Sequence, residues 1–529
     1  MKLSKPKLLR PLACAAVLLA ALANGAFAQT ATPELGGTAI VAIGQDPTSA
    51  NPAITSNTAD RIVGCIIFEG LVNVGSTDLS IQPALAKSWA ISPDGKTYTF
   101  NLVDAKWHDG QPFTSDDVKY SLLQVNTKYS PAFTAAGSQI ASIDTPSPTQ
   151  VVINLKQSYG PFLASLPCAV GGAIVPKHIY EGKEPASVTD LVGTGPFKLA
   201  EWQHGDYMRL ARNPDYYVAG RPYLDEVVAK VINQAASRLQ AVQSGDIDLI
   251  QYVPGADQVA VRTNPAVKIE NSDISPTAHY LVFNTRKKPF DDKRVRQALM
   301  MAIDRDYVHK NVFFDIGKVG KAPFVQEIAW AANPAIDYAT LYPFDVAKAN
   351  ALLDEAGYKR DSGGKRFTVH FPVYSTSWPE HQQTALAIQG MWKAIGVDVT
   401  VDAFEDATFN KKVYQDFDFD VAMSPLSSYD DPDIGIARGY VTPSIGKVFG
   451  NASGYSNPKV DDLFEAGRRG STNEQRAIPY QQVQAILADD LPIATIDEFR
   501  NADVANTHLM GLWGHIEGNG DWSQAWLAK

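Results

Sequence analysis

The chain has 529 residues, 45% apolar and 20% charged, which matches an ordinary soluble globular protein but is too long for one compact core. Two to four lobes are expected at this length. The formal charge of −10 disfavours nucleic acid and anionic membrane as partners.

The first 28 residues read as a secretory signal peptide. Lys2, Lys5, Lys7 and Arg10 give a basic start, PLACAAVLLAALANGA follows, and Ala26-Phe27-Ala28 is an A-x-A cleavage site before Gln29. Cys14 sits at the front of the apolar run, the wrong place for lipid attachment, so a free soluble protein is expected. Removing the leader leaves the remainder more acidic still. No later stretch approaches the roughly 20 apolar residues that a membrane helix requires. Two cysteines remain, Cys65 and Cys168. Either they pair in an oxidising compartment or they pack as two buried thiols.

Strand and helix signals then alternate, which predicts a mixed α/β or α+β fold. TAIVAIG (38–44) reads as a buried strand, and KTYTFNL (96–102) alternates as a half-buried strand does. PFTSDDVKYSLLQV (112–125) opens a helix, with Thr114 as N-cap and Asp117 as its capping-box partner. TAHYLVFN (277–284) is a strand that runs into KPFDDKRVRQALMMAIDR (288–305). There Val295, Leu299 and Ile303 mark one apolar helix face. DVAKANALLDEAGY (345–358) is a helix stopped by Gly357, and TALAIQGMWKAIGVDVTVDAF (384–404) is helix, glycine, strand. IPYQQVQAILADD (478–490) is a helix before the last strand, LPIATIDEFRN.

Catalytic signatures are missing. There is no G-x-S-x-G elbow and no G-x-x-x-x-G-K-[ST] phosphate loop, and Gly193-Thr194-Gly195-Pro196 lacks the third glycine of a dinucleotide fingerprint. The nine histidines are scattered without metal-ligand spacing, so neither an enzyme nor a metal or other cofactor is expected.

WHDGQPFTSDDVKYSL (107–122) resembles the W-x-D-G-x-P-x-[ST]-x-x-D-V segment of the family 5 extracytoplasmic solute-binding proteins of ABC importers, which serve dipeptides, oligopeptides, nickel complexes and opines. GLVNVGSTDLSIQPALAKSW (70–89), IVPKHIY (174–180), GTGPFKL (193–199), SGDIDLI (244–250) and KPFDDKRVRQALMMAIDR follow in the family's order. The resemblance implies two lobes joined by two crossover hinges, with an extra subdomain in the first lobe. Lobe I would comprise 29–75, 190–278 and 496–529, the insert 76–189 and lobe II 279–495. HYLVFN (279–284) resembles the outward crossover and TIDEFRN (495–501) the return. The implied protein is a periplasmic monomer that encloses a small solute or short peptide and delivers it to the permease of an ABC complex. The alternative on the same fold is a ligand-binding sensor or chaperone-like protein.

The motifs themselves read as structural. Trp107, Asp109 and Gly110 form a turn, the GTGPF glycines serve their backbone angles, and the arginines of 294–296 face solvent or pair with acids on their own helix. SYDDPD (428–433) resembles a second-lobe loop in which peptide binders place an ammonium-gripping aspartate. The matching position is Ser428, and Asp431-Pro432-Asp433 reads as a turn. Tyr429 and Asp430 remain pocket candidates. Tyr374 and Ser375 occupy the neighbourhood of the carboxylate-gripping arginine of dipeptide binders. By similar position, Ser56, Asn57, Tyr280 and Trp330 are further solute-binding candidates. Loss of both charge anchors points to an amidic or hydroxylated solute, such as a modified peptide, an opine or a small glycan.

Overall fold

The computed structural model describes residues 32–55, 57–75, 80–270, 277–375, 378–428, 431–499, 502–514 and 520–529. The predicted leader, residues 1–28, lies outside them.

The first lobe is built on a seven-stranded sheet. Its strands are β1 (Thr38–Ile43), β6 (Phe197–Gln203), β7 (Tyr207–Arg212), β8 (Glu226–Val231), β9 (Leu249–Val253), β10 (Val267–Glu270) and β17 (Ala502–Asn506), ordered β10-β17-β9-β1-β8-β7-β6. Beside it stands an antiparallel sheet of β2 (Ala86–Ile91), β3 (Thr97–Leu102), β4 (Ile140–Ser147) and β5 (Gln150–Leu155), ordered β2-β3-β5-β4. β3 alternates as its sequence does, with Tyr98, Phe100 and Leu102 buried.

The second lobe holds β11 (Thr277–Phe283), β12 (Lys318–Val319), β15 (Val421–Ser427) and β16 (Ile493–Phe499) in the order β12-β16-β11-β15, with the parallel pair β13 (Phe367–Tyr374) and β14 (Val397–Phe404) nearby. Successive β11 residues serve two cores: Leu281 and Phe283 face one, Tyr280 and Val282 the other. The chain thus passes between lobes twice, after Glu270 and after Phe499. Both segments that resemble crossovers end or begin as strands of the second sheet. The crossings fall in 271–276 and 500–501, outside the described residues.

Local signals act as read. The capping box at Thr114 forms: the Thr114 amide donates to the Asp117 carboxylate at 2.8 Å, opening α2 (Ser115–Tyr120). The other Asp117 oxygen accepts from the Lys177 amide at 2.9 Å. Trp107 is buried and its turn closes at Gly110, φ +88°. α3 (Lys293–Met301) begins at the Asp292 cap, so Ile303 lies beyond its end, although Val295, Leu299 and Ile303 are all buried. α4 (Val346–Glu355) stops before Gly357, whose φ is +93°.

Two expectations are corrected. Arg296 neither faces solvent nor pairs with an acid of its helix. It is 4% exposed and donates to the backbone carbonyls of Phe290, Asp490 and Leu491. Gly193 and Gly195 are not in the left-handed region. Their missing side chains admit the end of α1 (Thr58–Ile67): a Cβ on Gly193 would overlap the Ile67 carbonyl oxygen, and the Gly195 amide donates to that oxygen at 2.9 Å. Cys65 on α1 and Cys168 form a disulfide across 103 residues.

Candidate functional site

Where the inserted sheet's layer faces the second lobe, the chain encloses two cavities. One, of about 480 Å³, is lined by Ile81, Tyr98 and Leu163 on one side and by Trp330, Asp431 and Arg476 on the other. The second, of about 390 Å³, lies between Ala135, Ala136 and Val170 on one side and Ile434, Arg438 and Arg468 on the other. Both fall in the range of small-ligand sites, roughly 300–1,000 Å³.

The loop after β15 builds the wall between them. Ser428 is fully buried, its backbone pressed against Gly435, where a Cβ would overlap the Ser428 carbonyl oxygen. Asp431 caps the turn that follows, accepting the Asp433 amide at 2.9 Å, with Pro432 at the first helical position. That much is the expected turn. The carboxylates, however, are spent on arginines far along the chain. Asp431 takes both Arg476 guanidinium nitrogens, at 2.6 and 2.7 Å, and Asp433 takes Arg468 at 2.9 Å. These arginines sit at the end of α5 (Pro458–Arg469) and in the first turn of α6 (Asn473–Asp490).

Electrostatics follow from this enclosure. Burial raises the Asp433 carboxyl, with Arg468 working against it. Burial opposes charge on Arg476 as well, but the adjacent Asp431 more than offsets it and raises the guanidinium. The Arg476 guanidinium also lies 5.0 Å from the Trp330 ring centre and 5.5 Å from that of Tyr480. The described wall thus offers aromatic faces and neutralised ion pairs rather than a free carboxylate. Nothing in it pairs a nucleophile with a base.

Of the residues singled out from sequence, Trp330 lines the larger cavity. Asn57 caps α1, accepting from the Ala59 and Asp60 amides. Tyr280 is buried in β11, and its hydroxyl has no hydrogen-bond partner among the described residues. Tyr374 donates to Asn410 at 2.8 Å and packs on Phe409, while Ser375 is exposed and its amide closes on the Phe404 carbonyl. Ser56, Tyr429 and Asp430 lie outside the described residues. Sequence reasoning missed Tyr98, Tyr159, Arg468 and Arg476. No local pattern marks them, because each acts through a partner on a distant segment.

Comparison with known proteins places this architecture. The model of the bacterial extracellular solute-binding proteins, family 5 (middle part), matches residues 80–445. The chain is 30% identical over 461 residues to a probable D,D-dipeptide-binding periplasmic protein of Escherichia coli, covering 84% of this chain and 85% of that one. It is 30% identical over 516 residues to heme-binding protein A of Haemophilus influenzae, covering 91% and 92%. A periplasmic binding protein of Helicobacter pylori, solved with the peptide STSA, superposes with TM-score 0.75 at 26% identity over 94% of this chain and 99% of that one. With two lobes, two crossings and an enclosed space between them, the chain belongs to the bacterial extracellular solute-binding proteins, family 5.

Proposed function

We propose that this protein captures a small peptide or peptide-like solute between its lobes in the periplasm and hands it to an ABC permease, without chemical change. The observation that carries the reading is the 480 Å³ cavity whose two sides come from the insert and the second lobe. Trp330 and Tyr98 supply apolar faces with polar tips. Asp431 and Asp433, committed to Arg476 and Arg468, leave the solute to be held by backbone and neutral groups instead of by those acids. Micromolar affinity, about −8 kcal/mol, is within reach of such contacts. A ligand that touches both lobes favours their closed arrangement by its differential affinity.

The lobe division 29–75, 190–278 and 496–529, with insert 76–189 and second lobe 279–495, belongs to this proposal; sheet membership supports its outline but puts Thr277, Ala278 and Ile496–Phe499 on strands of the second lobe. So do a cleavable leader over 1–28, a soluble monomer rather than a lipoprotein, and docking of the closed form on the permease.

Native mass spectrometry of protein purified from the periplasm, followed by mass analysis of the released solute, tests the reading. Peptide or peptide-like masses are expected, retained because dissociation from a closed cleft is slow. Release of heme or of a free sugar would overturn the solute class.

A further inference from the structure

We propose that Tyr159 and Gly160 form the seat against which the second lobe closes, a role that rests on the two-lobe capture described above. Tyr159 and Gly160 open the short turn Gly160–Ser165 of the insert. The Tyr159 hydroxyl donates to Asp433 at 3.3 Å, across 274 residues. A Cβ on Gly160 would lie 2.6 Å from the Arg476 Nε and 2.7 Å from the Gly470 carbonyl oxygen, both on the facing lobe. Gly160 is not in the left-handed region, so its own backbone accepts a side chain. The need for glycine comes wholly from the other lobe.

Two neighbouring contacts extend the seat. Arg469 donates to Gln157 at 2.5 Å, and a Cβ on Gly95 would lie 2.8 Å from the Ser471 Cβ. The receiving surface is rigid. Arg476 is fixed by Asp431, by the Gly467 carbonyl at 2.9 Å and by the Tyr480 hydroxyl at 3.1 Å. A backbone-to-guanidinium fit this close exists only when the lobes are together. Any side chain at 160 therefore acts as a wedge that excludes the closed form while leaving each lobe intact.

The test traps the closed form with a short thiol cross-linker and needs no ligand. In the full chain, with Cys65–Cys168 intact, Gln157→Cys and Arg469→Cys place one thiol on each side of the seat, at positions whose native side chains touch. Cross-linking by a short bis-maleimide is followed by loss of free thiol and by mass. The pair should cross-link, Gly160→Leu should slow it at least tenfold, and Tyr159→Phe, which removes only the hydroxyl, should slow it about threefold. Circular dichroism and the thermal transition of the Gly160→Leu chain before cross-linking should match the parent. If Gly160→Leu fails to fold, the Tyr159→Phe rate decides. A parent pair that never cross-links would overturn closure at this surface. A pair that cross-links at the same rate in both variants would overturn the seat alone. The binding reading is judged separately, by the solute released from the wild-type protein.

Discussion

Substituting Asp431 by Ala removes one half of a buried ion pair. Asp431 and Arg476 are each 3% exposed. The change deletes two charge-assisted contacts, at 2.6 and 2.7 Å, and the cap bond to the Asp433 amide at 2.9 Å. Loss of the cap costs about 1 kcal/mol. Stranding a buried charge costs about 3–5 kcal/mol. Arg476 keeps the Gly467 carbonyl, the Tyr480 hydroxyl and two ring faces, which puts its share at the lower end. The expected total is about 4 kcal/mol, with the cap part spared in Asp431→Asn. Removing both charges in Asp431→Asn with Arg476→Met should recover much of the loss, since the long side chain still covers Trp330. Urea unfolding followed by tryptophan fluorescence, run as a double-mutant cycle, reads these values. A cost below about 1 kcal/mol for Asp431→Ala, or a cycle that adds without coupling, would refute the argument.

Truncating Trp330 to Ala removes the aromatic face of the larger cavity and one ring face of Arg476, so calorimetry with the released solute should show at least tenfold weaker binding, accompanied by a lower thermal transition. Burial holds the Glu69 and Asp497 carboxyls at about 7 and Glu498 at about 8, so stability is greatest below their unfolded values of about 4, falls as pH rises from there, and levels off once pH passes 7–8. Burial depresses His279 to about 3 and His108 to about 4, which weakens the fold only as pH falls below about 6.5. Between pH 6.5 and 8.5 the carboxyls decide. The transition temperature should fall across that window, and Glu69→Gln should flatten it by about 1 kcal/mol in stability; an unchanged slope would refute the assignment. Replacing Cys168 by Ser opens a link across 103 residues and should lower unfolding free energy by about 2–4 kcal/mol, measured against the oxidised parent. Gly193→Ala drives a methyl into the Ile67 carbonyl and should cost about 3 kcal/mol, whereas Gly390→Ala, with open space around it and helical backbone, should cost nothing.

Alternation in β3, the capping box at Thr114 and the stop at Gly357 were legible in the sequence. Each depends on hydrogen bonds or periodicity within a few residues, so neighbouring letters carry the information. The ordered motifs from 70 to 305 likewise pointed to the family, because they are the turns and caps that this fold reuses.

What the sequence by itself determined is therefore the elements, the fold class and the turn at Asp431-Pro432-Asp433. Only the tertiary structure decided why Gly193 and Gly195 are glycines, that Arg296 is buried, that Cys65 meets Cys168, and that the acids of the turn belong to Arg468 and Arg476. It also turned Asn57 into a helix cap and Tyr374 into a packed core residue, and brought Tyr98 opposite Trp330. The physical reason is separation along the chain. Tyr159 meets Asp433 across 274 residues and Gln157 meets Arg469 across 312, and such contacts come into being only when the lobes are folded and apposed.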